Sequence, residues 1–229
     1  ELALQIESKH GIPRERIVFC STHTHCGPDL VSELSNIFAT ELTEAETAAG
    51  KRYRQQLKDG ILTAIDVSLS DLAPAQLAYA VGKAEFASNR RVLKNGRWTG
   101  FGVQPDGPVD HTVPVLRVTD VDDKVRGVIF NYACHGTTLG GNHYNINAEW
   151  CGYAATNLEA QDADAVALCT IGCGADANPE PRGSLDATKI HGRTLAAEVR
   201  RIVNGDMNAI DAPLLARFDY AALSFDLPT

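Results

Sequence analysis

The sequence has no excess of positive charge, no long apolar run and no C-x-x-C pair, and each absence argues against a class of protein. The 229 residues carry 21 Lys and Arg against 29 Asp and Glu, a net charge of -8. No nucleic-acid partner is therefore expected, because phosphate binding requires a basic face. No apolar run approaches the about 20 residues that a membrane-spanning helix needs. The six cysteines lack the spacing of a zinc ribbon.

The chain also lacks internal repeats, low-complexity tracts and evident linkers, so we expect residues 1–229 to form a single domain. Helical and strand patterns alternate along it. Helices are predicted at residues 43–69, 149–160 and 186–203, and strands at residues 113–118, 125–132 and 165–171. This alternation predicts an α/β fold in which a mixed β-sheet core is flanked by helices. The chain begins without a methionine, and we expect it to be the N-terminal portion of a larger domain.

Three apolar segments, each predicted to be a strand, run directly into loops of glycine and short polar residues. The strand predicted at residues 17–20 leads into THTHCGP, residues 22–28. The strand at residues 125–132 leads into CHGTT, residues 134–138, and the strand at residues 165–171 leads into GCGADANP, residues 172–179. Ligand sites of α/β sheets lie beyond the carboxyl ends of strands, so these loops are expected to converge on one pocket.

Two of these loops carry histidines with the spacing of a metal site. In an extended segment His23 and His25 point to the same side and could reach one ion. For the pair alone, hydrogen bonding to backbone at a strand end is the favoured interpretation, because so short a pattern often occurs by chance. His135, at the end of a second strand, strengthens the case for a shared site, and neutral imidazole suits zinc. The remaining histidines are interpreted as structural or solvent-facing: His10, His111, His143 and His191.

Four further polar residues each admit a structural and a functional interpretation. Glu149 either complements the dipole at the start of a helix capped by Asn147 or fixes a histidine and lines the substrate site. Asp176 and Asn178 form either a plain tight turn or a catalytic loop that stabilises an oxyanion. Arg90 either clamps a polar group of the substrate or remains solvated. The residue patterns leave these alternatives open.

In this order, the polar segments resemble the neutral/alkaline (non-lysosomal) ceramidase family. The match runs from about residue 15 to residue 180. The THTH-x-GP element and the later His-Gly block are specific in combination. The segments that carry the resemblance are THTHCGP (residues 22–28), Asn89-Arg90, Asp110, ACHGTT (residues 133–138), NAEWCGYA (residues 147–154) and GADANP (residues 174–179).

The resemblance implies a zinc amidase that cleaves the N-acyl bond of ceramide, a lipid amide, to give sphingosine and a fatty acid. It implies that His23 and His135 are zinc ligands, that His25 is an acid–base group and that Arg90 contacts substrate. The family completes its zinc site with a Glu and a Tyr from much further along the chain. It also implies association with a membrane surface and a secreted, periplasmic or cell-surface location.

Four residues depart from the family pattern. Asn178 stands where the family has its proposed catalytic serine, and an asparagine cannot act as that nucleophile. Ala148-Glu149 stands where the family has Ser-Asp, and Cys26 replaces a serine. The metal-binding part of the pattern is kept, whereas the serine is lost.

These departures leave three hypotheses. The first is a zinc-dependent hydrolase of ceramide or a related lipid amide, with a water nucleophile in place of the serine. The second is a zinc hydrolase of a non-lipid substrate. The third is a non-catalytic relative that binds lipid or glycan and whose histidines are structural.

Overall fold

In residues 1–31, 41–162 and 164–224, which the computed structural model describes, the chain forms four α-helices and eight β-strands. The helices are α1 (Leu2–His10), α2 (Glu44–Ser70), α3 (Glu149–Glu159) and α4 (Leu185–Val203). The strands are β1 (Gln76–Lys83), β2 (Ala87–Lys94), β3 (Arg97–Gln104), β4 (Thr112–Thr119), β5 (Val125–Tyr132), β6 (Val166–Ile171), β7 (Ala177–Pro179) and β8 (Asn208–Ala209). None of the helices in these ranges combines the length and apolar character needed to cross a membrane.

Side-chain caps fix the start of two helices. Thr43 and Glu46 form a capping box at α2, in which each side chain binds the backbone N–H of the other residue. Ser184 accepts the N–H of Ala187 at the start of α4. The helices predicted from sequence are confirmed as α2, α3 and α4 to within one residue at each end.

Five strands form a mixed sheet in the order β6-β5-β4-β1-β8. β5 and β6 are parallel and are joined by α3, whereas the other neighbours are antiparallel. A second, antiparallel sheet has the order β3-β2-β7. The predicted α/β fold with a mixed sheet and flanking helices is confirmed, as are the strands predicted at β4, β5 and β6.

The core lies between one face of the five-stranded sheet and the helices α3 and α4. Alternate residues of β4 and β5 point into it, because successive side chains of a strand face opposite sides. Helix α4 presents one stripe of buried residues at helical spacing. The largest fully buried side chains of this core include Phe130, Tyr132, Trp150, Leu195 and Val199.

The prediction of a buried strand at residues 17–20 is wrong. The segment is extended, but it pairs with no strand in the described ranges, and Val18 is 88% exposed. An apolar run of four residues favours burial, but a strand also needs a hydrogen-bonded partner, which no local pattern supplies. The loop that follows is nevertheless held in place, through one parallel bridge between Thr24 and Gly136.

We predict that Leu195→Ala lowers the free energy of unfolding by about 2–5 kcal/mol, because it leaves a cavity under α4. Leu195 is 0% exposed, whereas Leu185 on the same helix is 38% exposed. Leu185→Ala is therefore the matched control and is expected to change stability by less than about 1 kcal/mol. Denaturant titration of both variants checks the prediction, and equal losses would contradict the assigned core.

Candidate metal centre

Three histidines from two loops meet at one place. The ring nitrogens of His23, His25 and His135 offer ligand atoms that all lie within 4.8 Å of one another. The ring centroid of His23 lies 4.9 Å from that of His25 and 4.7 Å from that of His135. The ring centroids of His25 and His135 are 5.6 Å apart. The two histidine loops predicted to converge therefore do so, and His25 belongs to the same group of ligand atoms as the other two.

Backbone contacts set the distance between the two histidine loops. Thr24 and Gly136 form a parallel bridge, and the N–H of His25 donates to the carbonyl of Gly136 at 3.2 Å. A Cβ at residue 136 would lie 3.2 Å from the carbonyl oxygen of His23 and from the Cα of Thr24. Glycine thus allows the close approach that brings His135 to the H-x-H pair.

The tautomer of His135 is fixed by a backbone carbonyl. Its Nδ1 lies 2.7 Å from the oxygen of Gly174, which can only accept, so Nδ1 carries the proton. The lone pair of Nε2 is left for a metal. In metal sites, a hydrogen bond from the other ring nitrogen fixes the tautomer and orientation of a histidine in this way. A Cβ on Gly174 would lie 2.5 Å from the backbone nitrogen of Cys134, so this loop also depends on glycine.

The donor set fits a zinc ion. Imidazole nitrogens bind zinc at about 2.0–2.1 Å, so two ligands of one ion lie no more than about 4 Å apart. The observed ligand atoms lie within 4.8 Å of one another, close to that limit. His135 is buried, whereas His23 and His25 are exposed, so the cluster is open on one side.

The electrostatics of the site favour neutral imidazoles. Partial burial lowers the pKa of His25, and His23 and the positive charges of Arg90 and Arg182 lower it further. Burial also lowers the pKa of His135, an effect that the bond to Gly174 opposes and that Arg90 reinforces. Metals bind the neutral form of histidine, so both shifts favour metal binding.

His23 adopts a strained backbone. Its φ of 52° lies in the left-handed region, where the backbone conformation of a residue with a Cβ costs about 1–3 kcal/mol of stability. Such strain persists only where neighbouring contacts impose it, and it concentrates at functional sites. Here the imposing contacts are the bridge from Thr24 to Gly136 and the hydrogen bond from the Thr24 hydroxyl to the carbonyl of Asn147 at 2.8 Å.

Glu149 and Trp150, at the start of α3, hold both ends of the loop that carries His135. The Glu149 carboxylate is 0% exposed and accepts the N–H groups of Thr138 and Leu139 at 3.2 and 2.8 Å. The indole of Trp150 donates to the carbonyl of His135 at 2.9 Å. Glu149 was predicted to fix a histidine or line the substrate site. These contacts make it a positioning residue for the loop, and its contact with a substrate stays a prediction.

Asn147 joins the first histidine loop to α3. Its N–H donates to the carbonyl of Cys26 at 3.0 Å, and its side-chain oxygen accepts the N–H of Glu149 at 2.8 Å. The cap position of α3 is Ala148, one residue later than predicted. Asn147 therefore contributes a turn that aligns Glu149, which itself has a positive φ of 58°.

The third loop brings Asp176, Asn178 and Arg90 together. The N–H of Arg90 donates to the carbonyl of Asp176 at 2.7 Å, and its Nε donates to the carbonyl of Ala175 at 3.0 Å. Its Nη1 lies 3.4 Å from Oδ1 of Asn178. The guanidinium also lies over the ring of Phe101, 4.8 Å from its centroid. Arg90 is therefore held against the third loop at the edge of the site, and its contact with a substrate stays a prediction.

Sequence reasoning gave no role to Thr137 or Trp150. The hydroxyl of Thr137 donates to Oδ1 of Asn178 at 3.0 Å. A signal for Thr137 was available, because it lies two residues after His135 and therefore on the same side of an extended chain. Trp150 offered no such signal, since its contact with the carbonyl of His135 depends on how α3 packs.

Known proteins share this chain's sequence pattern and fold. The family model described as Neutral/alkaline non-lysosomal ceramidase, N-terminal, matches residues 4–221. The neutral ceramidase of Pseudomonas aeruginosa is 26% identical over 147 residues, which are 62% of this chain and 21% of that protein.

Two solved structures share the fold at 20% identity. The crystal structure of neutral ceramidase from Pseudomonas aeruginosa gives a TM-score of 0.73 over 93% of this chain and 35% of that one. A ceramidase complexed with C2 gives a TM-score of 0.74 over 93% of this chain and 34% of that one. The chain thus spans about a third of the length of these relatives.

We predict that Glu149→Ala destabilises the fold by about 2–6 kcal/mol, because it leaves two buried N–H groups without an acceptor. The same change should weaken metal binding, since the loop that carries His135 loses its anchor. Thermal unfolding and zinc titration measure the two effects. Glu85→Ala, at a surface ion pair with Lys83, is the control and should change stability by about 1 kcal/mol or less. A neutral Glu149→Ala would contradict the positioning role.

We also predict that, in the metal-free protein, His25 and His135 have pKa values below that of an ordinary histidine, which is about 6.5. Protonation adds a positive charge to a partly buried site beside Arg90, so it occurs only at lower pH. NMR titration of the ring protons measures both midpoints. Arg90→Gln should raise them, because it removes a neighbouring positive charge, and midpoints at or above 6.5 in the unsubstituted protein would contradict the prediction.

Proposed function

The chain belongs to the neutral/alkaline non-lysosomal ceramidase family, and on this premise we propose that it is a zinc-dependent amide hydrolase. Its proposed substrate is ceramide or a related lipid amide, cleaved at the N-acyl bond. The observation that carries the proposal is the meeting of His23, His25 and His135 within 4.8 Å in a chain of this family. We further propose that residues 1–229 are the N-terminal portion of a larger catalytic domain, which is consistent with the chain's share of its relatives' length.

His23 and His135 are the proposed zinc ligands. The tautomer of His135, set by Gly174, supports this role because it leaves Nε2 unprotonated. A bound zinc ion supplies Lewis-acid chemistry, in which the pKa of water falls to about 7 and the substrate carbonyl is polarised. Glu149 and Trp150 support the assignment indirectly, since they hold the loop on which His135 lies.

His25 is the proposed acid–base group. Its lowered pKa keeps a ring nitrogen free to accept a proton from the attacking water. The same nitrogen then gives that proton to the amide nitrogen as the C–N bond breaks. Arg90 binds and orients a polar group of the substrate at the edge of the site, and Asp176 and Asn178 belong to the loop that surrounds the reacting carbonyl.

We predict that His23→Ala abolishes stoichiometric zinc and amide hydrolysis in the full-length protein, because it removes one ligand from the cluster. Metal content by mass spectrometry and turnover of a fluorescent ceramide measure the two effects. His10→Ala, which changes a histidine of α1 outside the cluster, is the matched control. Unchanged metal content in His23→Ala would contradict the ligand assignment. Turnover of small amides with ceramide untouched would contradict the lipid substrate.

A further inference from the structure

Asn178 is an almost buried polar residue of the third loop, and neighbouring side chains fix its amide. It is 5% exposed and lies on β7, which pairs with β2 so that Asn178 is opposite Ser88. Its Oδ1 accepts from the Thr137 hydroxyl at 3.0 Å and from the Arg90 guanidinium at 3.4 Å. A guanidinium can only donate, so the atom that faces it must be the oxygen. The orientation of the amide is therefore determined by its neighbours.

This orientation leaves the two N–H groups of the Asn178 amide without a protein partner. No acceptor within residues 1–31, 41–162 and 164–224 takes a hydrogen bond from Nδ2. Nor is Nδ2 among the side-chain atoms of these ranges that are sealed off from solvent without a partner. An almost buried amide whose two N–H donors are accessible and unused is suited to bind an oxygen atom of a ligand.

The amide belongs to the histidine site. The N–H of His135 donates to the carbonyl of Ala177, the residue before Asn178, at 3.0 Å. Thr137, which donates to Asn178, lies two residues after His135 on the same loop. The positive charge of Arg90 on the oxygen side draws electron density from the amide and strengthens its N–H groups as donors.

We infer that Asn178 binds the carbonyl oxygen of the scissile amide through Nδ2 and stabilises the oxyanion, in a single displacement by water. This inference rests on the amide hydrolysis proposed above. Water forms a C–O bond to the carbonyl carbon, and the C=O electron pair moves to the oxygen that Nδ2 faces. When the pair returns, the C–N bond breaks and the nitrogen leaves with the proton carried by His25. No acyl group is transferred to the protein.

The test compares Asn178→Ala and Asn178→Asp with the unsubstituted full-length protein. Both changes remove the N–H donors, and Asp keeps the shape of the side chain in case Ala impairs folding. We predict that kcat falls by about 10²–10³ in each variant, as on loss of one oxyanion donor, with a smaller change in KM and unchanged zinc content. Asn208→Ala, on the exposed strand β8, is the control and should retain full activity.

Two readouts complement the rates. Affinity for the carboxylate product should fall at least about tenfold in Asn178→Asp, since a charged oxygen loses its donor. Intact-mass analysis during turnover should show no acyl adduct, and added hydroxylamine should form no hydroxamate. Unchanged kcat in both variants, or a trapped acyl adduct, would overturn the inference while the proposed hydrolysis stands. Absence of zinc and of turnover in the unsubstituted protein would overturn both.

Discussion

The buried carboxylate of Glu149 is the interaction on which the histidine site depends. It has no cationic partner in the hydrogen bonds of the described residues and is satisfied by two backbone N–H groups of the loop after β5. Buried polar oxygens of this kind are stable only while both donors stay in place, so the loop and the start of α3 are fixed as one unit. Trp150 adds a third bond, to His135 itself. The ring of His135 is therefore tied to the core through α3.

Most of the fold could be predicted from local patterns. The capping pair Thr43 and Glu46 marks the start of α2 in the sequence, and alternation in β4 and β5 marks a sheet with one covered face. The strand expected at residues 17–20 shows where such patterns fail. Hydrophobicity is a property of a segment alone, but a strand exists only with a partner, and no local pattern identifies that partner.

The location of the site could be predicted from the sequence, but only some of its contacts could. The i, i+2 spacing of His23 and His25 and the strand end before His135 identified the converging loops. The link between Arg90, Thr137 and Asn178 could not be foreseen, because it depends on the pairing of β2 with β7 across almost 90 residues. The role of Glu149 was also ambiguous, because packing decides which N–H groups donate to its carboxylate oxygens.

The bridge between Thr24 and Gly136 has a consequence for how this site can change over evolution. Because main-chain atoms set the spacing of the two loops, side chains beside them can be exchanged without altering that spacing. Cys26 and Asn178, at which the sequence is expected to depart from the family pattern, both lie next to segments held by backbone bonds. Residue 136 is the opposite case, since a Cβ there would lie 3.2 Å from the facing main chain and crowd the contact between the loops. The main chain of such a site can hold its loops at one spacing while the side chains around them differ.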